Sequence, residues 1–308
     1  MSFQFREAKR ENVNALLSLA GGTGSGKTMS ALRLATGLSA GKKFAVIDTE
    51  SRRALHYADQ FDFDHTELNP PFRPERYAEA IKDADSGGYP VIVVDSASHE
   101  HAGEGGLLDW HQEEFVRMGS RDAVKMTAWI KPKMAHKRMV QSLLGVKAHV
   151  ILCLRAEEKI EIVRGANGKT QVVPKQSPTG LNGWIPICEK TLPYEMTASF
   201  LLIADKPGLP HPIKLQEQHK AMFPLGKPIG EESGRLLAEW ARGGIRPDAP
   251  AKEEGDPPRW LLDAQIIADE GVDAFRDFWK ALDETQRAKL RPHVGDLKER
   301  AEKAGRLV

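Results

Sequence analysis

The chain has 308 residues, of which 41% are hydrophobic and 28% charged, which excludes a wholly disordered polymer and leaves room for about two domains. Lys and Arg number 44 against 43 Asp and Glu, a formal net charge of +1, so a surface for nucleic acid has to be local, not global. Two cysteines, Cys153 and Cys188, exclude a disulfide framework and a cysteine-rich zinc site, and both are expected to be small hydrophobes of a cytoplasmic protein.

Residues 15–20 (ALLSLA) read as a short apolar strand running into a glycine-rich turn. A helical pattern follows, with Met29, Leu32, Leu34, Ala35 and Leu38 on its apolar side. Residues 43–48 (KFAVID) and 91–95 (VIVVD) read as buried strands, 60–72 as irregular chain, and 76–84 as a helix stopped at Gly87, Gly88 and Pro90. Helical periodicity returns over 133–144, before a further strand at 149–154 (HVILCL). Short continuous apolar runs alternating with helices predict an α/β fold, a mostly parallel sheet covered on both faces. No run approaches the roughly 20 apolar residues of a membrane span, and the charged N-terminus lacks a signal-peptide core. No membrane partner is expected.

After Arg155 the texture changes. Residues 159–163 and 171–173 read as a hairpin around Asn167 and Gly168, a turn pair suited to tight hairpins. Residues 195–204 and 212–216 are expected as two antiparallel additions to the sheet, and 231–241 as a closing helix. Three Gly and four Pro among charges mark 243–258 as a linker. The predicted organisation is a domain over 1–242, that linker, and a small helical region over 259–308.

The segment Gly21, Gly22, Thr23, Gly24, Ser25, Gly26, Lys27, Thr28 fits G-x-x-x-x-G-K-[ST] between a predicted strand and a predicted helix, the context a phosphate-binding loop requires. Its glycines let backbone N–H groups turn inward around a phosphate chain, and the helix N-terminus adds partial positive charge. Lys27 is expected to reach the β- and γ-phosphates and Thr28 to ligate Mg²⁺. Asp95, ending an apolar strand, suits the Mg²⁺ water shell. The residue after it is Ser96 and the fourth of that run is Ser98. The D-x-x-G of GTPases is therefore missing, as is a glutamate directly after the aspartate. A glutamate past the end of a neighbouring strand remains, and Glu50 in VIDTE supplies it as general base or positioner for the attacking water.

The order GGTGSGKT, VIDTE, VIVVDS resembles the RecA-like P-loop ATPase core over roughly residues 14–216. Within it, VIVVDSASHE, AWIKPKMAHKRMVQSLL and HVILCLRAEEK are similar to phage-encoded AAA/RecA-like ATPases that accompany recombination or single-strand annealing. The resemblance implies ATP as nucleotide, a ring or filament of identical subunits, and a place in a bacterial host cytoplasm. It also implies a γ-phosphate sensor at Arg155, where RecA itself carries Gln. Lys206, Lys214 and Lys220 include candidates to reach a neighbouring subunit's nucleotide.

By the same resemblance, loops contacting single-stranded DNA correspond to about 99–132 and 156–195. Residues 117–138 hold seven Lys/Arg against the single acid Asp122, with Trp110 and Trp129 in or beside the run, a combination suited to phosphates and stacked bases. Arg117, Arg121, Lys125, Lys131 and Lys133 are the candidates there, with Arg164 and Lys169 on the hairpin. Three other readings stay open: a replicative helicase or helicase loader, a small-molecule phosphotransferase, and a nucleotide-dependent switch whose C-terminal helices dock a recombination or replication protein.

Overall fold

The structure, a computed structural model, describes residues 5, 10, 13–164, 170–175, 183–243 and 259–304. They divide into two compact units, residues 1–244 and 245–308.

The first unit opens with β1 (Leu16–Gly21), α1 (Lys27–Ser39), β2 (Phe44–Asp48), β3 (Phe63–Glu67), α2 (Pro74–Ser86) and β4 (Val91–Asp95). It continues through α3 (Ser98–Ala102), α4 (Leu107–Arg117), α5 (Ile130–Gly145) and β5 (His149–Glu158). Then come β6 (Ile160–Arg164), β7 (Thr170–Pro174), β8 (Trp184–Pro186), α6 (Leu192–Glu195), β9 (Ala198–Leu202), β10 (His211–Lys214) and α7 (Glu231–Ala241). The main sheet runs β3-β2-β4-β5-β1-β9-β10 and is parallel except for β10; β8 pairs antiparallel with the end of β5.

The apolar strands are buried on both faces because successive side chains alternate across the pleat. Val91 and Val93 pack with Leu17, Leu19, Ile151 and Phe200 on the α1/α7 face. Ile92 and Val94 pack with Tyr77, Ile81, Met139 and Leu143 on the α2/α5 face. Helix α1 lies tight against α7: a Cβ on Gly37 would fall on the Glu231 carbonyl oxygen, and one on Gly234 on the Leu34 carbonyl oxygen. Arg33 clamps the same contact with bonds of 2.6–2.9 Å to the Glu231 carboxylate.

Three sequence expectations are corrected. Residues 60–72 are not wholly irregular, because β3 forms the sheet edge; its FDHTE sequence is only half-buried and carries no apolar run. The strand within 195–204 is parallel to β1, because α6 and the loop before it carry the chain back to the starting end of the sheet; only β10 is antiparallel. The stretch 99–132 is not an open loop: α3, α4 and two 3₁₀ turns fold it, with Leu107 and Glu114 turned inward. The β6–β7 hairpin pairs Ile160 with Pro174 and Arg164 with Thr170. Its turn, Asn167 and Gly168, lies outside the described residues, as do Lys169 and all of the 243–258 linker but Gly243.

The second unit holds α8 (Arg259–Asp269), α9 (Val272–Ala281), α10 (Glu284–Leu290) and α11 (Val294–Ala304). Its core is Leu261, Ala264, Ala268, Phe275, Leu290, Leu297 and Ala301. A capping box between Asp283 and Gln286 starts α10, satisfying backbone donors that a helix start leaves free. No helix of the described residues is long and apolar enough to cross a membrane.

Candidate functional site

The central strands deliver the predicted residues to one end of the sheet. Asp48 of β2 stands beside Asp95 of β4, Asp95 beside Cys153 of β5, and Arg155 of β5 beside Gly21 of β1. The carboxyl ends of parallel strands are where open α/β sheets form their crevices. Here they border a cavity of ≈ 660 Å³ lined by Gly21 to Met29, Glu50, Arg53, Tyr57, Asp95, Arg155, Ala156 and Ile187.

The loop between β1 and α1 is a cradle built by backbone. Gly24 and Gly26 have φ of 74° and 81°, conformations that side-chain-bearing residues disfavour. The Ser25 hydroxyl and the Lys27 ammonium both donate to the Gly22 carbonyl, each at 2.8 Å. Burial lowers the Lys27 pKa, partly opposed by Asp95 and Glu50. No side chain caps α1, so its first N–H groups remain open to a phosphate.

Thr28, the second residue of α1, donates from Oγ1 to Asp95 Oδ2 at 2.6 Å. Asp95 is 5% exposed. Its burial pushes the carboxyl up to about 6, against the Thr28 hydrogen bond, which holds it down. A hydroxyl and a carboxylate so placed beside a phosphate cradle are the donor set that P-loop proteins offer to Mg²⁺, and a buried carboxylate short of partners is relieved by a cation. The residues fit both a nucleotide triphosphate and its metal.

Glu50 lies across the crevice. Its Oε1 accepts from Arg155 Nη2 at 2.7 Å and Nε at 2.9 Å, and its Oε2 is 3.3 Å from Arg53 Nη1. The position after Asp95 holds a buried serine whose hydroxyl donates to the Cys153 carbonyl at 3.2 Å. The crevice carboxylate therefore comes from the strand beside Asp95.

Several contacts near these residues escaped the sequence reading. Asp48, 2% exposed, accepts from the backbone N–H of Glu50 at 2.6 Å and of Ala54 at 2.9 Å, fixing the turn that presents Glu50. Tyr57 lines the cavity and packs against the core on the α1/α7 face. Ser98 receives the Arg155 backbone N–H at 2.8 Å and donates to the Ile187 carbonyl at 2.7 Å. His99 faces Thr49 Oγ1 at 2.7 Å, while Glu100 pairs with His136 at 2.9 Å in the interior. The acid ending β2 is the one signal that could have exposed Asp48.

The candidate DNA residues are not gathered in the cavity. Arg117 and Lys131 both close on Glu114, at 2.6 and 3.1 Å, an acid just outside the 117–138 window. Lys133 sits 5.8 Å above the Trp129 ring and 4.0 Å from Glu189. Trp129 itself stacks on His111 at 4.1 Å, and Arg73 covers Trp110 at 4.6 Å. Arg121 and Lys125 are exposed and make no ion pair among the described residues, and Arg164 is exposed on β6. Lys169 lies outside the described residues. Of the subunit-reaching candidates, Lys214 donates to the Tyr194 carbonyl and Lys220 pairs with Glu217, each at 2.6 Å.

This fold and cradle define a P-loop nucleotide-binding domain. A family model described as an AAA domain matches residues 14–188, more than half of the chain, and the chain belongs to that family of AAA-type P-loop ATPases. No curated protein matches the chain.

Proposed function

We propose that the chain hydrolyses ATP with Mg²⁺ and uses nucleotide binding to order a surface on single-stranded DNA, in homologous recombination or annealing of a phage or prophage. The carrying observation is the convergence of Lys27, the Thr28–Asp95 pair and Glu50 on one cavity. Lys27 exchanges the Gly22 carbonyl for phosphate oxygens. Thr28 and Asp95 hold the metal, which when bound neutralises charge developing on the phosphates. Glu50 orients the attacking water and takes its proton, and Arg155 carries positive charge at the edge of the phosphate site. Tyr57 offers a face for the base.

Two features support a link to DNA. The Arg155 backbone is bonded through Ser98 to Ile187, just after β8, so a shift at the phosphate site reaches the segment carrying the hairpin. That hairpin exposes Ile160, Ile162 and Val172 beside Arg164, apolar side chains for bases and a cation for phosphate. Assembly into a ring or filament would bring several such hairpins onto one strand.

A nucleotide-dependent switch with little turnover is the second reading, favoured by the two arginines that occupy the Glu50 carboxylate. The experiment is steady-state ATP hydrolysis with Mg²⁺, with and without oligo(dT), for the wild type and Glu50→Gln. Turnover raised by oligo(dT) and lost in the variant supports the DNA-coupled ATPase. Turnover indifferent to oligo(dT) removes DNA from the account, and tight binding with negligible turnover selects the switch.

A further inference from the structure

Helix α5 carries apolar side chains on its outer as well as its inner face. Its inner face buries Pro132, Ala135, Met139 and Leu143, which is enough to seat it on the sheet. Its outer face should then be polar, yet Ile130 and Met134 are each 54% exposed and Leu144 44% exposed. One turn before the helix, Met126 is 78% exposed. Ile130 and Met134 are one α-helical turn apart, so their side chains form one exposed patch, and Met126 is exposed in the turn between the two 3₁₀ segments that lead into the helix. Methionine side chains are adaptable and recur on binding surfaces for that reason.

Lys137 and Arg138 flank the patch with positive charge. Residues 130–145 contain no acid, although Lys131 pairs with Glu114 of α4 at 3.1 Å and Lys133 lies 4.0 Å from Glu189. Lys137 lies two turns beyond Ile130 on the same side of the helix, flanking it away from Met134, is exposed, and makes no ion pair among the described residues. Arg138 reaches Glu75 at 3.5 Å with both side chains more than half exposed, a contact that water screens and a ligand can replace.

We infer that the outer face of α5 is a docking surface for an acidic amphipathic helix of another protein, its apolar side chains on Met126, Ile130 and Met134 and its carboxylates on Lys137 and Arg138. Charge complementarity selects an acidic partner. The aliphatic spacing selects a helix, which presents anchors one turn apart. Nucleic acid fits less well: the nearest aromatic, Trp129, is already stacked on His111, and aliphatic side chains do not supply the stacking platforms that single strands use. The inference is independent of the ATPase reading.

The test is fluorescence anisotropy of the full chain with a fluorescein-labelled helical peptide of four turns, carrying leucines at i, i+4 and i+8 flanked by glutamates. A peptide with the leucines changed to serine and a labelled oligo(dT) are the comparisons. The leucine peptide is expected to bind best. Ile130→Ser with Met134→Ser, or Lys137→Glu alone, is expected to weaken it about tenfold. Far-UV circular dichroism and ATP turnover should stay at wild-type values, since none of these residues lies at the cavity. Equal binding of the serine peptide, or no binding, overturns the inference. So does oligo(dT) binding that depends on Lys137 but not on Ile130 and Met134, which would make this a nucleic-acid surface. Sedimentation of the wild type as an oligomer that the Ile130/Met134 variant dissociates would also overturn it, by assigning the face to a second copy.

Discussion

Arg155 reaches across the crevice from β5 to Glu50 and donates twice to one carboxylate oxygen, at 2.7 and 2.9 Å. The pair joins the group proposed to activate water to the group proposed to meet the γ-phosphate. Glu50 is 10% exposed in this pairing and Arg155 47%, so the arginine is the freer member and the one that can turn toward a phosphate. Arg155→Ala is expected to lower turnover by about 10²-fold, the scale of losing one preorganised charge donor, while nucleotide affinity falls less. Arg155→Lys should recover only part of it, because an ammonium lacks the planar fork. Turnover rising in Arg155→Ala would show that the arginine restrains Glu50.

Asp48 governs where Glu50 points. Replacing it by Asn puts an amide donor among the Glu50 and Ala54 N–H groups, and an unmet buried group costs about 1–3 kcal/mol. Asp48→Asn is therefore expected to lower the melting temperature and to reduce kcat more than nucleotide affinity. Thermal unfolding and a kcat-against-Kd comparison check both parts. Loss of stability with unchanged kcat would confine Asp48 to a structural role.

Tyr57 is the aromatic residue that lines the cavity. Tyr57→Ala is expected to weaken binding of a fluorescent ATP analogue about tenfold, within the range for one aromatic–base stack, and Tyr57→Phe to retain it. Equal affinity in all three proteins would place the base elsewhere.

His149 gives the fold a pH limit. Its Nδ1 accepts the Ala15 backbone N–H at 3.0 Å, so the folded state holds the neutral ring. Burial, with a smaller contribution from Arg242, pulls its pKa down from 6.5 to about 4. A lowered histidine pKa stabilises the fold above the ordinary value, and that stability is lost as pH falls from 6.5 toward 4. The loss amounts to up to about 3 kcal/mol. Chemical denaturation at several pH values should show this decline, and His149→Gln should flatten it.

The residues that make the cradle and the central sheet were legible because each carries its own local signal. ALLSLA, FAVID, VIVVD and HVILCL are apolar but for Ser18, His149 and the closing Asp48 and Asp95, and they sit at the centre of a doubly covered sheet, where such runs belong. FDHTE carried no such signal, because an edge strand needs only a half-apolar side. The direction of β9 depends on the path of the chain through α6, which no local pattern encodes. The basic run at 117–138 looked unopposed because its neutralising acid, Glu114, enters through the fold of α4 onto α5. Asp48 and Ser98 act through buried hydrogen bonds, which leave no spacing in the sequence.

The central claim is that Glu50 activates water for hydrolysis of a nucleotide held by the P-loop. Its most direct test is single-turnover hydrolysis of Mg²⁺–ATP by Glu50→Gln beside a direct measurement of ATP affinity. The account predicts affinity within a few-fold of wild type and a hydrolysis rate lower by about 10²–10⁴-fold, the contribution of a positioned base. Hydrolysis at the wild-type rate in a variant that binds ATP normally would contradict it.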